Sequence, residues 1–407
     1  MNVVFIAPSF PSNQRQFVRA LAEAGATVIG VGEAHADVLD EQLRGWMYHY
    51  EQVPSVTDVE VMTGVVRRLQ DKVWIDRIEA TIEAHTLAAA QVREACHVPG
   101  TSVRTAWLCR DKPSMKQALR EAGVPTAAST AAASSAGVRS FADQVGFPLI
   151  LKPRSGAGAA DTMRVDTAAD LEHAVGLFGG QGVESIAVEE FIEGHEGFYD
   201  TLSIDGRVAL DFVSHYYPNV LDAMRTRWIS PQFICTNRLD TAPEYVELRD
   251  MGRRVNAALG IETSATHMEW FFGPKGLKFS EIGCRPPGVG AWDLYSAGND
   301  IDLFGEWANA IVHGQARSSP SRRCAAGMVA LRPDKDGQIT GYSGADELQQ
   351  RYGEWIIDAH LPPAGTATQA VEAGYMANAY VRMRHPDYDT LRSMLDDVGR
   401  TLHVYAA

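Results

Sequence analysis

Phe147-Pro-Leu-Ile-Leu-Lys-Pro-Arg-Ser-Gly-Ala-Gly-Ala159 places a short apolar run directly before one lysine, Lys152, and a glycine-bearing loop. Pro153 stops the strand just after Lys152, and Gly156 and Gly158 let backbone N–H groups approach an anion that bulkier residues would hold off. A strand that delivers an ammonium group onto such a loop suits a polyphosphate. On this stretch alone an ordinary strand end followed by a turn is the commoner explanation, so a phosphate site needs support from segments further down the chain.

Ile186-Ala-Val-Glu-Glu-Phe-Ile-Glu-Gly-His-Glu196 is an apolar strand that turns acidic where it leaves its sheet. An adenine ring needs a backbone acceptor and donor between apolar walls, and a carboxylate further along can accept the ribose hydroxyls. Thr266 to Arg285 then reads as a β-hairpin around Gly-Pro-Lys-Gly. A three-residue loop, 274–276, with Gly276 in the left-handed bulge position, sets Glu269 opposite Glu281 on one face. Two carboxylates that close repel unless a cation lies between them, and hard oxygen ligands suit Mg²⁺ bridging to phosphates. Arg285 lies two alternating steps beyond Glu281, within reach of a phosphoryl group or a substrate carboxylate.

In the order of these features, from about Asp111 to Gly290, the chain resembles the ATP-grasp superfamily, of the carboxylate–amine ligase type. The resemblance extends to the branch holding carbamoyl-phosphate synthetase, biotin carboxylase and dipeptide ligases. It implies an α/β chain with the ATP-grasp fold, a small Rossmann-like N-terminal domain and a C-terminal lid region. The divisions expected are 1–105, a small lobe 106–192, a large lobe 193–323 and a closing part 324–407. Position by position, it implies that Lys112 and Lys152 grip the phosphates of ATP. Ser155, Gly156 and Gly158 belong to the covering flap, Glu189, Glu190, Phe191 and Ile192 to the adenine strand, and Glu196 is the ribose carboxylate. Glu269 and Glu281 would hold Mg²⁺, and Arg285 is the arginine that follows them. Many members carry Asn two residues after the second metal carboxylate, where this chain has Gly283, which puts a second magnesium in doubt.

The 407 residues are 45% hydrophobic, enough for two or three packed domains. A net charge of −14 argues against nucleic-acid and anionic-membrane partners and for small molecules. Five cysteines without a Cys-x-x-Cys spacing, and no apolar run of membrane-spanning length, point to a reducing, cytoplasmic setting without structural zinc. The start of the chain, a strand at Val3, a helix from Gln14 and a strand from Thr27, is a βαβ unit lacking the glycine fingerprint of a dinucleotide site. Its loop residues Ser9, Ser12, Asn13 and Gln14 either contact substrate or simply form the turn.

After Val213 the cluster His215, Tyr216, Arg225 and Arg227 reads as a mobile substrate loop, with solvated surface residues the equal alternative. The resemblance implies a two-step reaction. A small-molecule carboxylate attacks the γ-phosphate of ATP, and an amine then displaces phosphate from the acylphosphate; Lys152 and Arg285 stabilise the transferring charge. An ATP-grasp carboxylase, a small-molecule kinase and a non-catalytic nucleotide-binding protein are the alternatives. A homodimer is the expected assembly.

Overall fold

The computed structural model describes residues 1–153, 162–180, 186–371 and 378–407. Ser155, Gly156 and Gly158 lie outside the described residues. Near the N-terminus, β1 (Asn2–Ile6), β2 (Thr27–Gly32), β3 (His49–Gln52) and β4 (Arg77–Glu79) form a parallel sheet in the order β3-β2-β1-β4. The run Val3-Val-Phe-Ile6 is buried from end to end, as a parallel strand covered on both faces requires. The helix Gln14–Glu23 turns Phe17, Val18 and Leu21 inward. Phe17 packs on Trp292, Phe304 and Trp307 at ring separations of 5.3, 4.9 and 5.0 Å. The core of this N-terminal part is therefore continuous with that of the largest sheet.

Next come β5 (Ser129–Ala132), β6 (Leu149–Pro153), β7 (Met163–Val165) and β8 (Ile186–Glu190), an antiparallel sheet in the order β5-β8-β6-β7. Its core, with Val138, Phe141, Leu149, Leu151, Val165, Leu171 and Val188, contains residues of this segment alone.

The third sheet contains β9 (His195–Ile204), β10 (Arg207–Tyr217), β11 (Gln232–Cys235), β12 (Ser264–Gly273), β13 (Gly276–Gly283) and β14 (Ala325–Leu331). After β15 (Ile339–Ser343), it is completed by β16 (Ile356–His360) and β17 (Ala379–His385). The order is β13-β12-β9-β10-β11-β14-β17-β16, so the stretch after Arg323 extends this sheet by three strands. β15 pairs separately with β18 (His403–Ala406). Among the described residues no helix is long and apolar enough to cross a membrane.

Two local expectations are corrected. Across the hairpin Gly273 pairs with Gly276 and Trp270 with Phe279, so the loop has two residues, not three. The register shifts instead at Ser280, where the extra residue forms a bulge that brings Glu269 opposite Glu281. Gly276 does adopt a positive φ of 73°. The carboxylate pair is as expected; the device that aligns it lies nearer the pair. The second correction concerns the stretch after Val213, which is not a loop. β10 continues to Tyr217, and Ser214–Tyr217 pair with β11. Pro218, which has no N–H to donate, follows its last residue.

Candidate active site

The small sheet and the edge of the large sheet face each other across a cavity of about 170 Å³. Lys112 and Lys116 enter it from the helix Lys112–Glu121, whose N-cap Asp111 accepts from Ser114 N–H and whose first turn carries Pro113. Four residues is about one helical turn, so both ammonium groups leave the same face. Lys152 comes from β6 and Glu189 from the adjacent β8, while Glu196, Glu269 and Glu281 project from β9, β12 and β13. Ala127, Ile150, Phe191, Ile192 and Phe279 supply apolar walls.

Charge is distributed unevenly across this cavity. Lys116 and Lys152 both contact Oε2 of Glu189, at 2.7 and 2.9 Å. Burial alone would raise the Glu189 pKa, but the two lysines outweigh it and bring the carboxyl down to about 2. Its other oxygen, Oε1, is buried with no hydrogen-bond partner among the described residues. Burial lowers Lys116 to about 8 against the pull of Glu189. For Lys152 the attraction of Glu189 and Glu281 overcomes burial, and its pKa is raised.

Lys112 lies 3.3 Å and Lys152 3.9 Å from Glu281, enough to outweigh burial and hold that carboxyl below its usual range. Glu269 is pushed up to about 8 by burial and by Glu281 and Glu196. Glu196, whose Oε2 accepts from Val220 N–H at 2.6 Å, is pushed up to about 7, burial again the largest cause. These acids crowd together without enough positive charge. Among the described residues no three His, Cys, Asp or Glu side chains stand close enough to hold a metal ion alone. The donor set therefore suits a hard cation that takes one or two carboxylates and completes its shell with phosphate oxygens and water, as Mg²⁺ does.

Arg285 is not in the main cavity. It lines a smaller adjoining one with Glu83, Arg110 and His267, and the two cavities share Lys112 and Glu281. Its Nε donates to Glu83 Oε2 at 2.7 Å. A Cβ on Gly283 would stand 2.8 Å from that same oxygen and 3.3 Å from Arg285 Nε. The side chain missing at position 283 thus makes room for a carboxylate from the N-terminal part. His267 donates or accepts at Nδ1 with Asp200 at 2.7 Å, and Tyr295 also donates to Asp200.

The other candidates separate. Glu190 pairs with Lys275, its second oxygen accepts from Ala128 N–H at 3.2 Å, and its side chain is absent from the cavity lining. The N–H groups of Glu190 and Phe191 donate to Ala128 and Pro148 carbonyls. His215 is turned to the other face of β10, bonded to His195 at 2.9 Å and Tyr245 at 2.8 Å. Tyr216 is core, against Phe198 and Phe233. Arg227 reaches Asp336 and the Pro333 carbonyl. Of the four residues expected to form a substrate loop, only Arg225 borders the cavity, donating to the carbonyl of Thr162, a lining residue. Gln14, offered as a substrate contact, is buried and accepts from Thr81.

Comparison with known proteins agrees with this geometry. Residues 111–197, which carry Lys112, Lys116, Lys152, Glu189 and Glu196, match the model of the ATP-binding domain of the carbamoyl-phosphate synthase L chain. The crystal structure of an L-amino acid ligase from Bacillus licheniformis superposes with a TM-score of 0.77 at 19% identity, covering 100% of this chain and 98% of the other. The chain has the ATP-grasp fold. In sequence it is similar to the L-arginine-specific L-amino acid ligase of Bacillus subtilis, 26% identical over 323 residues, 78% of this chain and 76% of that protein. The alanine–anticapsin ligase of Bacillus subtilis is 25% identical over 252 residues, 55% of this chain and half of that protein. The matched ATP-binding domain supports ATP as the nucleotide.

Proposed function

We propose that this chain is an ATP-dependent carboxylate–amine ligase, forming an amide on a small molecule through an acylphosphate and releasing ADP and phosphate. The observation that carries the reading is the pair of cavities joined at Lys112 and Glu281, one lined by the lysines and carboxylates a nucleotide needs, the other holding the Arg285 guanidinium. A carboxylate held by Arg285 would stand beside the end of the nucleotide cavity where Glu269 and Glu281 gather. The relatives named as amino acid ligases support the same chemistry.

In this reading Phe191 and Ile192 wall the adenine and Glu196 accepts from the ribose. Lys112 and Lys152 take the phosphates, leaving Glu281 free for a cation. Mg²⁺ on Glu269 and Glu281 would supply positive charge for the transferring phosphoryl group. Arg285 holds the attacking carboxylate and then the acyl oxygen, exchanging its bond to Glu83 for one to substrate. The apolar walls limit water around the acylphosphate. A cytoplasmic homodimer completes the proposal: all five cysteines are without disulfides, which fits a reducing compartment, and two-fold dimers are the commonest closed assembly.

The test is ADP and phosphate release with Mg-ATP across a panel of carboxylic acids, each with and without mixed amino acids, with Glu281→Ala as the blank. Amine-dependent release absent from the variant supports a ligase. With acid alone, release of ADP without phosphate would instead make it a kinase and release of both would mark a leaking acylphosphate, while no release with any acid would leave a nucleotide-binding protein.

A further inference from the structure

Cys109 and Cys284 take no part in the chemistry proposed above, yet they meet at its edge. Cys109 is the C-cap of the helix Val103–Leu108 and lines the adjoining cavity with Lys112 and Arg285. Cys284 follows β13, and its Sγ lies 3.3 Å from Ser264 Oγ and 3.9 Å from Thr101 Oγ1. The two thiols stand within hydrogen-bonding reach of each other, and both side chains are buried. We propose that Cys109 and Cys284 are an oxidisable pair, which a hydroperoxide closes to a disulfide that weakens nucleotide binding in the neighbouring cavity. The effect on binding rests on the nucleotide reading of that cavity; the bond itself does not.

Each cysteine directly precedes an arginine that holds Glu83. Arg285 Nε donates to Glu83 Oε2, and Arg110 donates to the Glu83 carbonyl. The hydrogen bond with Cys109, helped by Ser264 and Thr101, outweighs burial and draws the Cys284 thiol below its ordinary pKa, while Cys109 is pushed up. Cys284 is therefore the better source of the attacking thiolate. A small hydroperoxide reaches the pair where Cys109 lines the cavity. The Cys284 sulfur takes one peroxide oxygen as the O–O bond breaks, and the departing hydroxide takes up a proton to leave as water. The Cys109 sulfur then displaces the oxygen of that sulfenic acid, its own proton leaving in a second water. Two thiols are oxidised to one disulfide, and hydrogen peroxide is reduced to two waters. An S–S bond of about 2.05 Å is shorter than any non-bonded contact, so its closure draws the two segments together. Lys112, three residues past Cys109, and Arg285 move with them, and a shift of about 1 Å is enough to impair a site of this kind.

The experiment treats the reduced full chain with hydrogen peroxide, removes the peroxide with catalase, then labels free thiols with N-ethylmaleimide in denaturant for mass spectrometry. Three labelled cysteines in place of the five free ones, with one peptide linking Cys109 to Cys284 that dithiothreitol releases, are expected. Five labels, or a link between other cysteines, would overturn the proposal. Calorimetry on the same samples should show Kd for Mg-ATP raised on the order of tenfold by oxidation and restored by dithiothreitol. A disulfide that leaves Kd unchanged would overturn its effect on the site. Cys109→Ser should bind Mg-ATP like the reduced wild type and keep its affinity after peroxide, and an equal loss in this variant would count against the pair. If Cys109→Ser does not fold by circular dichroism, Cys284→Ser takes its place with the same expectations. A reduced wild type that binds no Mg-ATP overturns the nucleotide reading, while the linked peptide still decides whether the pair closes.

Discussion

His215 sits among the rings of His195, Tyr217, Tyr245, Trp270 and Tyr388, on the face of the large sheet opposite the site. Burial, with His195 and Arg392 nearby, lowers its pKa from the usual 6.5 to about 3. An imidazole whose folded pKa lies below its unfolded one protonates first in the unfolded chain. Stability is therefore full above about pH 6.5 and drains as pH falls toward 3, by on the order of 1–3 kcal/mol from this one group. Urea unfolding at pH 7 and pH 5 should show the drop. His215→Phe should be weaker at pH 7, since Tyr245 loses its partner, yet lose less on acidification. Sequence could not reveal this role, because a histidine next to tyrosines looks the same on a loop as in a sheet. Lys116 was legible in principle, one helical turn from Lys112. Glu83 was not: it reaches Arg285 from 202 residues away, and only the packing of the N-terminal part brings it there.

Between β8 and β9 the chain makes one tight crossing. Gly194, at φ +151°, lies so close to the hairpin turn that a Cβ would meet the Phe272 carbonyl oxygen at 2.4 Å, and one on Gly273 would meet the Glu193 oxygen at 2.1 Å. Gly194→Ala must push β9 off β12 just where Glu196 leaves the crossing. We expect a loss of about 2 kcal/mol or more of stability, together with weaker ATP binding, both measurable by thermal melts with and without nucleotide. The strands and the acidic pair at this crossing were legible from alternation and turn residues. The bulge at Ser280 was not, since a one-residue shift can be absorbed at several points of a hairpin with the same final pairing. The extent of β10 was misjudged for a related reason: Ser214, His215, Tyr216 and Tyr217 alternate faces as a strand must, but their polarity hides the pattern.

Across the whole molecule the three sheets are joined unequally. The N-terminal sheet shares its core with the large sheet through Phe5, Phe17, Trp292 and Trp307. Trp307→Ala should cost about 3–5 kcal/mol and destabilise both together, so denaturation followed by Trp fluorescence and by far-UV circular dichroism should give one coincident transition at lower denaturant. The small sheet keeps its core to itself. It nonetheless carries Lys152 and Glu189, while Glu196, Glu269 and Glu281 ride on its larger neighbour. In the proposed reading, a nucleotide gripped by both sets of side chains would be a clasp across the seam between the small sheet and its larger neighbour. Chemistry would then run only while that seam is shut, and ADP could depart only once it parts. Turnover should accordingly slow in step with added sucrose viscosity, whereas the first burst of bound ADP should form at an unchanged rate.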